Sequence, residues 1–213
     1  MLIGNRLATW KCGKRLPYDA EVEYIRSTGI QYIDTGVIID TNDYGAYYKF
    51  KVNSFNDGTS GVSGTNSGEA KLYINFWGNG LYVRYGNYLS SKITEGFNAA
   101  GVNEVNLNGG VITLNGSDIA TATLANRIAE DLPVFVFAWN DRGTAKNFCY
   151  MDLYAFKFYK DGGVAADFIP VRKGSVGYLY DRVSGRLFGN AGTGAFVAGP
   201  DKAAWTNPYV TDG

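Results

Sequence analysis

Strand-length segments joined by glycine turns recur along this sequence from residue 21 onward, and they restrict the chain to folds built from β-strands. The clearest segment is Tyr44–Asn53, in which apolar residues alternate with mostly polar ones. A period of two is typical of a strand that buries one face and exposes the other. The buried face of this predicted strand consists of Tyr44, Ala46, Tyr48, Phe50 and Val52.

Four turns are each flanked by two strand-like segments, which predicts four hairpins. These turns are Gly78–Gly80, Asn108–Gly110, Asp161–Gly163 and Val183–Gly185. A further turn at Asn115-Gly116 leads into a predicted strand over Asp118–Thr123. The continuous apolar run Leu132–Ala138 is typical of a short strand that is buried on both faces.

The number and spacing of these segments predict an all-β fold, a two-sheet antiparallel sandwich of about a dozen strands. Leu124–Asp131 has a helical pattern, so we expect at most one short helix near residues 124–131. Residues 1–20 are interpreted as an N-terminal arm, either a disordered end or an anchor that docks on a partner. Residues 21–201 are predicted to form one domain, followed by a C-terminal tail at 202–213.

The composition argues against several classes of function. The chain has 213 residues and no histidine, which excludes Ser-His-Asp and Cys-His catalysis and His-ligated metal sites. Cys12 and Cys149 are too few for a four-cysteine zinc site, and their pairing is left open. Lys+Arg and Asp+Glu both number 20, and such a neutral chain is a poor match to a nucleic-acid binder. No apolar run has the length of a secretory signal or a membrane span, so we expect synthesis in the cytoplasm without membrane insertion.

Two stretches, Glu23–Gly36 and Asp167–Asp181, carry a resemblance to a known family. Together with Ile112–Gly116, Phe137–Asn140 and Asn190–Asp201, they resemble the strands of the concanavalin A-like (laminin G-type) jelly-roll group. This group is common in proteins of gut bacteria and their phages. The resemblance covers roughly residues 20–201 and implies a two-sheet jelly roll, in agreement with the strand pattern.

Two motifs within these stretches suggest local structure. Ser27-Thr28-Gly29 predicts a tight turn between the first two strands, since glycine adopts positive φ without strain. Ile169-Pro170 predicts an edge strand or a strand end, because proline lacks the N–H that a central strand donates. We expect both motifs to hold the fold together rather than to bind a ligand.

The family also includes laminarinase-type glucanases, so catalysis has to be weighed. Those enzymes resemble one another in a Glu-x-Asp-x-Glu strand motif, whose alternate residues share a face and can flank a glycosidic bond. In this sequence no Glu is followed two positions later by Asp, and the nearest pattern is Asp19, Glu21 and Glu23. These charges fit a solvated edge strand better. We therefore predict no catalytic residues and a protein that is not an enzyme.

Two oxygen-rich segments are candidates for calcium. One contains Asp40, Asn42 and Asp43, and the other is Asn140–Gly143. Calcium takes six to eight oxygen ligands, but Asn and Asp in turns also cap their own backbone. Both interpretations stay open, and no cofactor or metal ligand is predicted.

Two aromatic and polar clusters are candidates for carbohydrate binding. One surrounds the Gly78–Gly80 turn and contains Trp77, Tyr82, Arg84, Tyr85 and Tyr88; the other contains Trp139, Asn140, Asp141 and Arg142. Sugars stack their apolar ring faces on aromatic side chains, while polar groups bind the hydroxyls. The alternative is that these rings pack in the core or cover the sheets.

The resemblance and the missing export signal together suggest a function. We expect a non-enzymatic phage virion protein, a head-decoration, head-fibre or tail-fibre component, made in the host cytoplasm. It would bind host or mucus glycans, attach to other virion proteins through residues 1–20, and form a homo-oligomer. The alternatives are a glycan-hydrolysing enzyme, a purely structural capsid cement, and a protein of the bacterial cell surface.

Overall fold

The computed structural model describes residues 16–41, 43–54, 60–66, 71–78, 80–86, 88–124 and 132–203. These residues form nineteen β-strands and no helix. The strands are β1 Ala20–Glu21, β2 Ile25–Arg26, β3 Ile33–Ile38, β4 Tyr44–Val52, β5 Ser60–Asn66, β6 Lys71–Trp77, β7 Gly80–Tyr85, β8 Tyr88–Leu89, β9 Val102–Asn108, β10 Val111–Leu114, β11 Ser117–Thr121, β12 Pro133–Val136, β13 Trp139–Asp141, β14 Thr144–Lys146, β15 Met151–Lys160, β16 Gly163–Lys173, β17 Val176–Asp181, β18 Arg186–Phe188 and β19 Phe196–Ala198.

The strands form two sheets that pack as a sandwich. The eleven-stranded sheet has the order β1-β16-β17-β19-β2-β15-β4-β9-β10-β11, with β18 beside β17. The eight-stranded sheet has the order β14-β13-β5-β6-β7-β8, with β12 between β3 and β5. The described pairings are antiparallel except the short parallel contact of β13 with β5. The predicted all-β, two-sheet sandwich is therefore confirmed, and it is consistent with a jelly-roll-like fold.

The core lies between the two sheets, and β4 supplies much of it. All five apolar residues of the predicted alternation on β4 are buried, as expected for a half-buried strand. Across the sandwich, the Phe50 and Phe76 rings lie 5.6 Å apart. The Tyr48 hydroxyl donates to Ser63 Oγ at 3.3 Å, and the Tyr85 hydroxyl donates to the Tyr44 carbonyl at 2.5 Å. These bonds satisfy polar atoms that would otherwise be costly to bury.

The four predicted hairpins are present as β6–β7, β9–β10, β15–β16 and β17–β18. In the β15–β16 turn, Asp161 and Gly162 have φ values of 49° and 72°. Two successive positive φ values are the geometry that an Asp-Gly turn favours. The strand predicted at Asp118–Thr123 is β11, which ends at Thr121.

The apolar run predicted as a buried strand is β12, which pairs with β3 on one side and β5 on the other. Its residues Val134, Phe135 and Val136 are buried, so the prediction is confirmed. The helix expected near residues 124–131 falls on residues outside the described ranges, apart from Leu124, which is not helical.

The turn at Ser27-Thr28-Gly29 does not join two paired strands. It connects β2 in the eleven-stranded sheet to β3 in the eight-stranded sheet. Gly29 has a φ of 93°, and the buried Gln31 side chain accepts a hydrogen bond from the Thr28 N–H at 2.8 Å. The local turn was predicted correctly. Its two flanking strands lie in different sheets, and each packs its apolar side into the shared core from its own sheet.

Pro170 lies inside β16 rather than at a strand end or on an edge, so that prediction was wrong. β16 pairs with β15 up to Phe168 and with β1 from Val171 onward. Pro170 stands at this change of partner, where the ladder on this side of β16 is interrupted, while the pairing with β17 on the other side continues. A proline is tolerated there because no regular ladder bond needs its N–H.

The described part of the predicted N-terminal arm belongs to the sandwich. Tyr18 is buried, and its ring contacts Tyr180 edge-on with centroids 5.0 Å apart. Ala20 already lies in β1. At the other end, Asp201 forms an isolated bridge with Val22. Residues 1–15 of the predicted arm and residues 204–213 of the predicted tail lie outside the described ranges.

Cys149 is a free thiol inside the core and is inaccessible to solvent. Burial raises the pKa of this thiol, because a thiolate is poorly solvated in an apolar interior. Cys12 lies outside the described ranges. Among the described residues no helix has the length and apolarity to cross a membrane.

Asp181, at the end of β17, should make stability depend on acidity. Burial alone raises the pKa of its carboxyl group, but hydrogen bonds from Ser184, Asp167 and Val183 lower it by more. A depressed folded-state pKa contributes stability above the unfolded value of about 3.9, and this contribution disappears as pH falls through the folded value. We expect Asp181→Asn to flatten this part of the stability profile. Urea denaturation of both proteins across the acid range tests this, and parallel profiles would contradict it.

Candidate functional site

The β6–β7 hairpin builds an outward surface on the eight-stranded sheet. On β6, Leu72, Ile74 and Phe76 are buried in the core, so alternation directs Tyr73, Asn75 and Trp77 outward. On β7, the core residues Leu81, Val83 and Tyr85 leave Tyr82 and Arg84 outward. We call the outward set, completed by Trp139 of β13, the aromatic face: Tyr73, Asn75, Trp77, Tyr82, Arg84 and Trp139.

The strand register places these side chains side by side. Asn75 is directly opposite Tyr82, and Tyr73 is directly opposite Arg84. The Trp77 and Tyr82 rings lie 6.4 Å apart at an angle of 39°. Trp77 is 60% exposed, the most exposed of the large hydrophobic side chains in the described ranges. A ring this exposed, next to a second ring, forms an open apolar platform.

Trp139 extends the aromatic face across β5. Its ring lies 4.8 Å from that of Tyr73 and covers Gly61. A Cβ at Gly61 would lie 2.5 Å from Trp139 Nε1, so only glycine leaves room for the ring in this position. Gly61 is in turn directly opposite Asn75 on β6. The two clusters that are distant in sequence therefore meet on one sheet surface.

Two polar atoms of the aromatic face are buried without hydrogen-bond partners. They are Asn75 Oδ1 and Trp139 Nε1, neither of which has a partner in the part of the chain that the structure describes. Buried polar side-chain atoms are usually paired, because an unpaired one loses its bonds to water without replacement. One of these atoms is an acceptor and the other a donor.

Three residues predicted to contact a ligand have partners within the protein instead, and a fourth lies in a turn. Tyr85 points into the core, where burial raises its pKa to about 12. Asn140 is buried and caps its own turn, donating to the Pro133 carbonyl and accepting from the Gly143 N–H, both at 2.8 Å. Asp141 pairs with Lys146 at 2.5 Å, and this hydrogen bond lowers the pKa of the carboxyl group. Arg142 lies exposed at the tip of the turn with a φ of 53°.

Tyr73 and Asn75 complete the aromatic face and were not predicted. The signal was present in the alternation of Leu72–Trp77, since Trp77, Asn75 and Tyr73 are two residues apart. Of the predicted residues, Trp77, Tyr82, Arg84 and Trp139 are brought together. Arg84 already makes one hydrogen bond within the protein, since its Nε donates to the Gly86 carbonyl at 3.1 Å.

Of the acidic trio considered as a catalytic motif, only Glu21 lies on β1, at the edge of the eleven-stranded sheet, and Asp19 and Glu23 flank this short strand. Asp19 accepts a hydrogen bond from the Gly174 N–H at 2.7 Å. Glu21 pairs with Lys202 at 3.4 Å, and Glu23 is exposed. Two of the three carboxylates thus hold neighbouring segments in place.

Asp40 and Asp43, which were considered as calcium ligands, have partners within the protein. Asp40 pairs with Lys160 at 2.5 Å, and the Asp43 carbonyl accepts from the Asp161 N–H at 2.9 Å. Asn42 lies outside the described ranges. Within those ranges, no group of three or more Cys, Asp or Glu side chains is arranged to hold a metal ion.

A separate cleft of about 790 Å³ lies beside β8, β10 and β11. Its lining includes Tyr88, Glu95, Asn115 and Asp118. Tyr88 belongs to the predicted hairpin cluster, and the other residues predicted to bind a ligand are not among the lining residues. The cleft is therefore distinct from the aromatic face.

Neither a protein-family model nor a curated protein matches this chain. Among solved structures, the chain is similar to one described as a mutant of Trypanosoma rangeli sialidase displaying trans-sialidase activity, with a TM-score of 0.43 and 13% identity. The likeness covers 55% of this chain and 21% of the sialidase chain. This protein thus corresponds to a small part of that chain, and so distant a likeness assigns it no activity.

The chain was predicted not to be an enzyme, but a solved structure to which it is similar is that of an enzyme. We therefore withdraw the prediction of a non-enzymatic protein. The activity named for the sialidase remains a property of that protein.

Proposed function

We propose that this protein is a lectin-like component of a phage particle, whose aromatic face binds glycans of the host surface or of mucus. The observation that carries the proposal is the exposed Trp77 ring beside Tyr82, on a sheet surface that Trp139 extends. Open platforms of this kind suit pyranose rings, whose C–H faces stack on aromatic rings. Asn75 and Arg84 stand between the rings, where sugar hydroxyls would need polar partners.

The particle setting is supported by the resemblance of Glu23–Gly36 and Asp167–Asp181 to a jelly-roll group found in phages. We propose further that residues 1–20 attach the protein to other virion proteins and that it assembles as a homo-oligomer. Several copies on one particle would convert weak single contacts into strong attachment. Mass spectrometry of purified virions tests this proposal. Absence of the protein from every particle preparation would contradict it.

We expect saturable binding of the intact protein to at least one glycan of a mixed panel, and a weakening of about tenfold or more in Trp77→Ala. Trp77 is largely exposed, so its removal should leave the melting temperature nearly unchanged. Isothermal titration calorimetry of the best glycan, with a thermal melt of each variant, measures both quantities.

Two matched variants make this test specific. Trp77→Phe retains a ring and should keep most of the affinity. Tyr154→Ala removes a ring on the eleven-stranded sheet, where it lies 5.4 Å from Tyr24, and should leave affinity unchanged. Equal losses in Trp77→Ala and Tyr154→Ala would contradict the aromatic face as the binding surface. Particle incorporation with no glycan binding would instead favour a capsid cement, and release of reducing sugar would indicate hydrolysis.

A further inference from the structure

We propose that the cleft beside β8, β10 and β11 binds the N-terminal arm of a second copy of this protein, with Trp10 on its apolar lining and Lys11 at its carboxylates. This inference rests on the proposed homo-oligomer and names the contact between its copies. The cleft has a volume of about 790 Å³, which lies in the range of protein sites that hold a ligand.

Part of the cleft lining is apolar and remains in contact with water. Tyr88, Ile93 and Ile119 pack against the core but are only partly buried. The buried Leu114 completes this apolar surface. Covering it with a large apolar side chain is favourable, because apolar area is then removed from water.

The charged groups among the described lining residues are Glu95 and Asp118, and both are exposed carboxylates. None of these lining residues is Lys or Arg. The neighbouring Lys92 packs instead over Gly80, at the start of β7. The cleft therefore complements a segment that carries positive charge next to an apolar anchor.

Asn115 joins two sides of the cleft. Its Nδ2 donates to the Gly96 carbonyl at 2.7 Å and to Asn103 Oδ1 at 3.1 Å, and its Oδ1 accepts from the Glu104 N–H at 2.7 Å. These bonds connect the segment that ends at Gly96 to the turn between β10 and β11. A cleft that is held in this way loses little conformational freedom on binding.

Residues 1–15 have the composition that such a cleft requires. They contain no acidic residue and four basic ones, Arg6, Lys11, Lys14 and Arg15. Trp10 directly precedes Lys11, so a large ring and a positive charge are adjacent. Tryptophan is among the residues that contribute most to binding at protein interfaces, above all where it fills a pocket.

The cleft of the same molecule is out of reach for Trp10. Leu16 packs with Ile169 on β16, on the face opposite to the core residue Phe168. From β16, the strands β15, β4, β9 and β10 lie before β11, which places the cleft about 24 Å away across this face. Trp10 is six residues before Leu16 and extends at most about 20–22 Å from it. The arm therefore meets the cleft of another copy.

This contact joins two different surfaces, an arm on one copy and a cleft on the next. Such head-to-tail contacts give rings or open chains of copies, whereas a two-fold dimer pairs the same surface with itself. The difference can be measured, because a variant that lacks a working arm still offers a cleft, and the reverse.

Sedimentation velocity of the full chain over a concentration series tests the proposal, with a reducing agent present so that Cys12 forms no disulfide. We expect the wild-type protein to associate, and Trp10→Ala and Asp118→Lys each to weaken association about tenfold or more. Asp118 is exposed, so the charge reversal should leave the melting temperature nearly unchanged. Asp34→Lys is the matched control, an exposed charge reversal on β3 that should not change association.

Mixing the two variants makes the test specific. Trp10→Ala retains the cleft and Asp118→Lys retains the arm, so the mixture should form a one-to-one dimer although neither variant associates alone. An arm-to-arm contact cannot be restored in this way.

A wild-type protein that stays monomeric at every concentration would overturn the inference, and so would association that survives in Asp118→Lys. Failure of the mixed variants to form a dimer would also overturn it. Glycan binding is measured separately through Trp77. Glycan binding by a monomer therefore overturns the assembly alone, and arm-dependent association without glycan binding overturns only the lectin-like function.

Discussion

Asp152→Ala is expected to lower the free energy of unfolding by about 3 kcal/mol, the lower end for breaking a buried ion pair. The Asp152 side chain is 3% exposed and accepts bonds from Arg26 Nε at 2.5 Å and Arg26 Nη2 at 2.9 Å. It also accepts a bond from Asn53 Nδ2 at 2.8 Å. Alanine leaves the Arg26 charge and the Asn53 amide without this partner. The lower end applies because Arg26 is 33% exposed and water solvates part of its charge. Urea denaturation with a fixed m-value measures the loss.

The chain contains a matched control for this prediction. Arg172 makes the same two-pronged contact with Asp201, at 2.6 and 2.7 Å, but the Asp201 side chain is 48% exposed. Exposed pairs contribute at most about 1 kcal/mol, so Asp201→Ala should have a small effect that added salt reduces further. Similar losses in the two variants would contradict the idea that burial sets the value of these pairs.

Gly64→Ala is expected to lower the free energy of unfolding by about 3 kcal/mol or to prevent folding. Gly64 has a φ of 149°, which side-chain-bearing residues rarely adopt. A Cβ there would also lie 2.5 Å from the Leu72 carbonyl oxygen and 2.8 Å from Tyr73 Cα. These are backbone atoms of β6, which β7 holds on the other side, so they have little freedom to move.

A thermal melt measures this effect, and a loss of about 3 kcal/mol corresponds to a fall of about 6–12 °C in a domain of this size. Gly163→Ala is the control, because its Cβ would have only an ordinary contact with the Lys160 carbonyl oxygen at 3.6 Å. That variant should have wild-type stability or gain up to about 1 kcal/mol from reduced freedom of the unfolded chain. Comparable falls in both variants would show that the cost is not specific to the Gly64 backbone.

The candidate site shows which neighbouring side chains could be predicted from the sequence and which could not. Trp77 and Tyr82 were recognised because they flank a turn on one hairpin, where pairing is local. Tyr85 was assigned to the same cluster, although it shares its phase with Leu81 and Val83, and that phase directs it into the core. The contact of Trp139 with Tyr73 could not be predicted, since it depends on where β13 joins β5.

The sequence by itself determined where most of the strands and turns lie and which side of those strands is apolar, because these properties depend on residues a few positions apart. The tertiary structure alone decided which sheet each strand joins and which outward side chains become neighbours. The strands on either side of the predicted Ser27-Thr28-Gly29 turn, Ile25-Arg26 and Ile33–Ile38, lie in different sheets, and Arg26 finds Asp152 at a separation of 126 residues. Such contacts form only when distant segments bury their apolar faces together, and no local pattern encodes the partner.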